Sequence, residues 1–307
     1  MSLTVSPLPT LSARFGVVSV LPSMVLVGWL TFLLGTGSFS GPPDMNAVFN
    51  AIAKANIGQV TLAGLLGVVV GSVMHPFQFL LVRMLEGYWT NVPILRRLQY
   101  IGIEINRRRM RRLIRAHEPT EKWYPPSEHD LLPTRLGNAL RAAERYAGKP
   151  YGLESVTMLP RLFPIVSPSV SAIFVDLRNQ LDVAARYTVV LAIITSTGLA
   201  VLATDGPWLL LPVVAALLMW ASYRAAIRNA VSYGNGLRLL FELHHGQLVQ
   251  ALGWKVPESI DELRTLAEGL GKWLDDDGAP PEGYIGPAAS EKAKEVTSPQ
   301  QDPTAQQ

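Results

Sequence analysis

The chain contains no cysteine. That excludes disulfide bridges, thiolate nucleophiles and cysteine-ligated zinc, and it removes the usual sequence marker of redox compartment. Catalytic signatures are missing too. There is no lysine-bearing glycine loop to cradle phosphate, no HExxH pair and no glycine-flanked serine elbow. The sequence therefore predicts a protein that is not an enzyme and uses neither cofactor nor metal. Acidic charge is scarce in one long stretch: between Pro93 and His117 only Glu104 interrupts the arginines.

What the chain has in quantity is apolar sequence. Hydrophobic residues make up 49% of it and charged ones 17%, and the apolar share is concentrated in four runs: Gly16 to Gly35, Val60 to Leu81, Tyr187 to Ala203 and Trp208 to Ile227. Each is close to the ~20 residues a helix needs to cross a bilayer. The expected fold class is all-α, a four-span membrane protein of two transmembrane hairpins whose spans continue into a small cytoplasmic helical bundle. The first run follows Arg14 and precedes small residues, as a secretory signal would. Its length exceeds the roughly 7–15 residues of a signal core, so a retained anchor is expected.

Orientation comes from the arginines. Arg83, Arg96, Arg97, Arg107, Arg108, Arg109, Arg111, Arg112 and Arg115 follow the second run, whereas the loop between the first two runs offers Lys54 against Asp44. Cations accumulate on the cytoplasmic side of membrane proteins. Arg178 and Arg186 before the third run, and Arg224 and Arg228 after the fourth, place both termini in the cytoplasm of a cell (plasma) membrane protein. The expected organisation is a first hairpin over residues 1–86, a basic helical insert over 87–186, a second hairpin over 187–228, cytoplasmic helices over 229–274 and a disordered tail over 275–307. Trp29, Trp208 and Trp220 fall toward span ends, where interfacial aromatics concentrate.

Outside the runs, Met45, Val48, Phe49 and Ile52 share a helical face, a pattern that fits a short helix on the outer membrane surface or one packed on the spans. Pro93 to His117 reads as a long basic helix with Ile94, Leu98, Ile101 and Ile105 spaced as a stripe. Arg96, Arg97, Arg107, Arg108, Arg109, Arg111, Arg112 and Arg115 on it are the candidate partner-binding residues. Anionic lipid of the inner leaflet attracts such a helix by roughly 1 kcal/mol per basic residue; a protein partner is the second expectation. Nucleic acid is disfavoured, because no aromatic platform or binding motif accompanies the charge. Trp123-Tyr124-Pro125-Pro126 predicts a loop, and Thr134 can cap a helix through Tyr146. Ser167-Pro168 starts a helix that runs into the third span, and the fourth continues along Leu237, Leu240, Phe241, Leu248 and Leu252 until Gly253. Ser259-Ile260-Asp261-Glu262 is a capping box for a last helix carrying Leu263, Leu266, Leu270 and Leu274.

Few groups could do chemistry at membrane depth. His75 beside Pro76 is one, since an ionisable side chain there is costly. Hydrogen bonding to a carbonyl freed by Pro76, an ion or proton path, and a lipid-headgroup contact are its three readings. Thr195, Ser196 and Thr197 form a polar site in the third span, although hydroxyls commonly bond back to their own helix. Gly67 and Gly71 have the spacing that lets helices approach closely, within one chain or in a homo-oligomer. His244 falls in an apolar stripe and reads as a buried, hydrogen-bonded histidine. Glu128-His129-Asp130 reads as a solvated loop, not a metal site.

Leu131-Leu132-Pro133-Thr134-Arg135-Leu136-Gly137-Asn138, then Arg141-Ala142-Ala143-Glu144 and Tyr151-Gly152, together with Tyr233-Gly234 and Phe241-Glu242-Leu243-His244, resemble blocks of a family of uncharacterised multispan bacterial membrane proteins, mainly actinobacterial. In that family the Pro160-Arg161-Leu162 site follows a tryptophan, where this chain has Leu159. The resemblance covers about residues 70 to 275 and implies a multispan topology with no activity attached. The expected function is an integral membrane adaptor or scaffold presenting its basic cytoplasmic region to a protein or anionic-lipid partner. The alternative is an oligomeric ion channel or small transporter with a path lined by spans two and three.

Overall fold

The computed structural model describes residues 20–39, 41–54, 56–74, 76–89, 93–276 and 280–286. Within them the regular structure is helical, with one isolated antiparallel bridge between Trp254 and Tyr284. In chain order the helices are α1 (Leu21–Gly35), α2 (Met45–Lys54), α3 (Ile57–Met74), α4 (Gln78–Glu86), α5 (Pro93–Arg115), α6 (Arg135–Ala147), α7 (Ser155–Leu162), α8 (Pro168–Leu202), α9 (Leu210–Ala251) and α10 (Ile260–Asp276).

Two helical stretches, Pro168–Leu202 and Gly206–Ala251, are long and apolar enough to cross a membrane. At 1.5 Å per residue α8 and α9 are about 52 and 63 Å long, well beyond the ~30 Å of hydrocarbon in a bilayer. Each apolar run thus continues as helix past its own limits, α8 backwards to Pro168 and α9 forwards to Ala251. The run from Val60 to Leu81 departs from the single straight helix its hydropathy suggests. It is broken into α3 and α4, which meet at 65° and count as a third candidate span only if taken together. Pro76 stands in the break and has no N–H to continue the ladder, so hydrogen bonding restarts with Leu81 N–H to the Phe77 carbonyl at 2.9 Å. The first run is represented by α1, whose 15 residues fall short of a crossing; its expected beginning at Gly16 lies outside the described residues.

Local signals set most helix ends. Pro168 opens α8 at a position where no amide hydrogen is needed. Thr134 Oγ1 accepts from Gly137 N–H at 3.0 Å at the start of α6. Ser259 Oγ accepts from Glu262 N–H at 3.2 Å, and the Glu262 carboxylate accepts from Glu258 N–H at 3.2 Å. His117 closes α5 in the left-handed conformation, φ 56°, with Glu118 N–H reaching back to the Leu113 carbonyl at 3.0 Å.

By their internal contacts the residues sort into two units. The first comprises the described parts of Met1–Asn106 together with Leu132–Gly137 and Leu177–Ala230. In it α1 packs on α3, and a Cβ built on Gly67 would lie 2.8 Å from Met24 Cγ, so α1 occupies the space a side chain would need. Val190, Leu191, Ile194 and Ala215 form the core between α8 and α9, with Leu26, Trp29, Tyr187 and Met219 packed against it. Ser222 Oγ and Asn229 Nδ2 donate to the Ala184 and Gln180 carbonyls at 3.0 and 2.9 Å.

The second unit is Arg107–Leu131, Asn138–Asp176 and the described part of Val231–Gln307. Leu140, Met158, Phe174, Leu237, Phe241, Leu248 and Leu270 are buried in it. Gly234 sits against Ala143, where a Cβ would approach Ala143 Cβ to 2.8 Å. Residues 280–286, expected from composition to lack structure, are instead fastened here. Tyr284 packs 4.7 Å from Trp254 and 6.0 Å from Trp273 between ring centroids, and Ile285 N–H donates to the Gly253 carbonyl at 2.9 Å.

Candidate functional site

The basic helix α5 uses its faces differently. In the first unit the face it turns to Pro133 carries half-buried Gly102 and buried Asn106. A Cβ on Gly102 would come within 2.6 Å of the Pro133 carbonyl oxygen, so this turn admits Pro133 only because it lacks a side chain. Asn106 Nδ2 donates to the Pro133 and Gly102 carbonyls at 2.9 and 3.0 Å. Pro133 also lies against Gly87, which has φ 99° and ends α4. Thr134 Oγ1 donates to the Glu86 carbonyl at 2.9 Å. The Leu132–Gly137 segment is thus wedged between the end of α4 and the middle of α5, which gives Pro133, Thr134 and Gly137 structural work.

In the second unit Arg111 forks onto Glu128, and Arg107 Nε lies 3.5 Å from the same carboxylate. Arg111 beside it holds the Glu128 carboxyl below the usual carboxylate range, its hydrogen bond being the main cause. Asp130 pairs with Arg145 Nε at 3.1 Å, and Arg145 also reaches Glu154 at 3.3 Å. The Glu128-His129-Asp130 loop is therefore pinned by arginines on both sides. Sequence reasoning missed these partners; the available signal was the pair of acids facing a chain otherwise rich in arginine.

Of the candidate arginines, Arg96, Arg97, Arg108, Arg109, Arg111, Arg112 and Arg115 are exposed and Arg107 is half-buried. Arg186, read in the sequence as part of the orientation signal, is buried, and its Nη2 donates to Gln78 Oε1 of α4.

The polar groups of the third run are largely occupied. Ser196 and Thr197 donate to the Ala192 and Ile193 carbonyls, each at 2.8 Å. Thr197 Oγ1 also accepts from Trp29 Nε1 at 2.9 Å, a contact between α1 and α8. Thr195 Oγ1 is buried and makes no hydrogen bond. Beside this helix a cavity of about 530 Å³ is lined by Leu85, Trp89, Ile193, Ser196, Trp220 and Tyr223 among others. His75 lies outside the described residues. Gly67 and Gly71 are both buried, with α1 covering Gly67.

In the second unit His244 is buried. Its Nδ1 lies 3.2 Å from the Leu240 carbonyl, and its Nε2 accepts from Ser167 N–H at 3.5 Å. His245 stacks on Tyr151 with centroids 4.2 Å apart.

No protein-family profile, curated protein or solved structure matches this chain. The functional reading therefore rests on the geometry just described.

Proposed function

We propose that the protein is an integral membrane adaptor. In this reading four spans in two hairpins, with both termini cytoplasmic, hold α5 and the helices around α6, α7 and α10 at the inner leaflet. There α5 presents its arginines to a protein partner or to anionic lipid.

The observation that carries the reading is the division of labour on α5. Gly102 and Asn106 are committed to Pro133 and Arg107 and Arg111 to Glu128, while Arg96, Arg97, Arg109, Arg112 and Arg115 remain exposed on the same helix. Packing alone gives no reason to keep these cations. Purification in a mild detergent followed by mass measurement tests it. A monomer carrying a stoichiometric partner, lost when Arg109, Arg112 and Arg115 are replaced by glutamate, is the expected result. A protein that captures no partner and binds anionic vesicles no better than neutral ones, or whose binding is indifferent to that change, would overturn it. The topology has its own test, because the chain has no native cysteine. Single cysteines at Phe49 and Ile114 should react with an impermeant reagent from opposite sides of the membrane.

An oligomeric channel or small transporter draws less support. Ser196 and Thr197 are bonded to their own helix, and the neighbouring cavity is lined mainly by apolar side chains, which offer a permeating ion no ligands. A discrete ring of subunits that passes ions in liposomes would reverse that preference.

A further inference from the structure

The cavity beside α8 lies wholly within the first unit, walled by α4, α8 and α9. Its volume of about 530 Å³ falls in the ~300–1,000 Å³ range of small-molecule sites. It opens to the surface, because Met84 and Trp220 on its wall are 52% and 57% exposed. Most of its polar side chains are already bonded inside the protein. Thr188 Oγ1 and Ser196 Oγ donate to the Ala184 and Ala192 carbonyls at 2.8 Å each, and Trp89 Nε1 donates to the Met84 carbonyl at 2.7 Å. Tyr223 Oη accepts from Leu136 N–H at 3.5 Å. A polar ligand would lose water here and find few partners, whereas an apolar one replaces empty space with van der Waals contact.

The cavity also has a direction. Along α8 it runs from Thr188 to Ser196, about 12 Å of helix. Thr188 stands at the edge of the apolar run and Ser196 near its middle. The hydrogen bond from Ser222 to the Ala184 carbonyl sets α9 against α8 so that Trp220 and Tyr223 fall at the Thr188 end. Arg224 follows them, exposed, with its guanidinium 4.7 Å from the Trp220 ring centroid. One end is therefore aromatic and cationic, and the other leads along Ala192 and Ile193.

We propose that this cavity holds one acyl chain of a membrane phospholipid whose phosphate is engaged by Arg224, an inference that rests on the membrane part of the reading above and not on the adaptor role. Its walls α8 and α9 belong to the two stretches long and apolar enough to cross a membrane. Leu210, Leu217 and Leu218 of α9 are exposed, so the surface around the opening suits hydrocarbon and not water. Tryptophan and tyrosine concentrate at headgroup level, which is where a chain entering from the Trp220 end leaves its phosphate. There the Arg224 guanidinium can donate charge-assisted hydrogen bonds to it.

The test uses the full chain in phosphatidylcholine nanodiscs containing a small fraction of phosphatidylglycerol with a photoactivatable diazirine in mid-chain. Illumination and peptide mass mapping should place adducts on Leu85, Ala192 and Ile193, and an excess of unlabelled phosphatidylglycerol should abolish them. In mild detergent the purified protein should retain one phospholipid per chain by mass. Arg224→Gln should lower that retention about fivefold. Ala192→Phe, which fills the cavity, should remove the adducts, whereas Leu217→Phe on exposed α9 surface should leave them. The adduct map and the competition on the parent stand even if Ala192→Phe misfolds. Adducts spread over Leu210, Leu217 and Leu218 and undiminished by competitor would overturn the proposal. So would a lipid-free dimer, or oleate that displaces the label as well as phosphatidylglycerol does with Arg224→Gln making no difference. The adaptor reading fails separately, because its test reads Arg109, Arg112 and Arg115, which do not line this cavity.

Discussion

Arg111 and Glu128 meet through two parallel hydrogen bonds, Nε to Oε1 at 2.8 Å and Nη2 to Oε2 at 2.7 Å. Because this fork lowers the carboxyl's proton affinity in the folded state, its contribution is complete above the ordinary glutamate value, about 4.3. It is lost as pH falls through the lowered one. Glu128→Gln should unfold at a lower temperature than the parent at pH 7, with the gap closing as acid protonates the carboxylate. The pair is exposed, so the effect should be small. A gap that widens on acidification would contradict this.

Glu144 has the opposite sign. Burial raises its proton affinity more than Arg141 and Arg145 lower it, although Arg141 Nη1 lies 3.5 Å from its carboxylate. The folded state therefore loses stability as pH rises from the ordinary glutamate value through the raised one. Glu144→Gln should be the more stable protein at pH 7 and lose that advantage in acid. Thermal melts at several pH values decide it.

The Pro133 wedge makes two glycines irreplaceable. Gly102→Ala should lose about 1–2 kcal/mol despite alanine's better helix propensity, since the added methyl meets the Pro133 carbonyl. Gly87→Ala should cost at least as much, its left-handed backbone adding about 1 kcal/mol to the clash with the ring. Gly271→Ala is the control. It is helical with open space at its Cβ, and it should gain about 0.5–1 kcal/mol. Denaturant melts in detergent would rank the three.

Trp29 and Thr197 should behave as one interaction. Trp29→Phe and Thr197→Val each remove the same 2.9 Å hydrogen bond, worth about 0.6 kcal/mol between helices in a membrane. The double variant should lose clearly less than the sum of the singles, a coupling that a mutant cycle measures directly.

Tyr284 should anchor the end of the described chain. Tyr284→Ala removes ring contacts to Trp254 and Trp273, each worth about 0.5–1.5 kcal/mol beyond area, and should red-shift tryptophan emission. Unchanged emission would mean that Trp254 needs no cover.

Features decided within a few residues were readable from sequence: Pro168 opening α8, Thr134 capping α6, and Ser259 with Glu262 framing α10. The stripe from Leu237 to Leu248 was equally plain, because helical periodicity survives whatever it packs against. Other features depended on distant partners. A proline disfavours a helix interior, yet α7 forms around Pro160 with Met158 and Leu162 buried. Tyr284 is one aromatic in a polar tail, and its docking depends on two tryptophans some way upstream. Pro76 marks a break, but hydropathy is blind to the angle between α3 and α4. The arginines of α5 were all visible, though not which of them Glu128 would claim.

The Pro133 wedge also gives folding an order. Gly87 and Gly102 leave the ribosome well before Pro133 does, so their shared socket must stay open while some 30 further residues are made. Until then the end of α4 and the middle of α5 are not clasped. A chain stalled before Pro133 should hold them loosely enough for proteases to tell it from a finished one, and delivery of that single proline closes the socket.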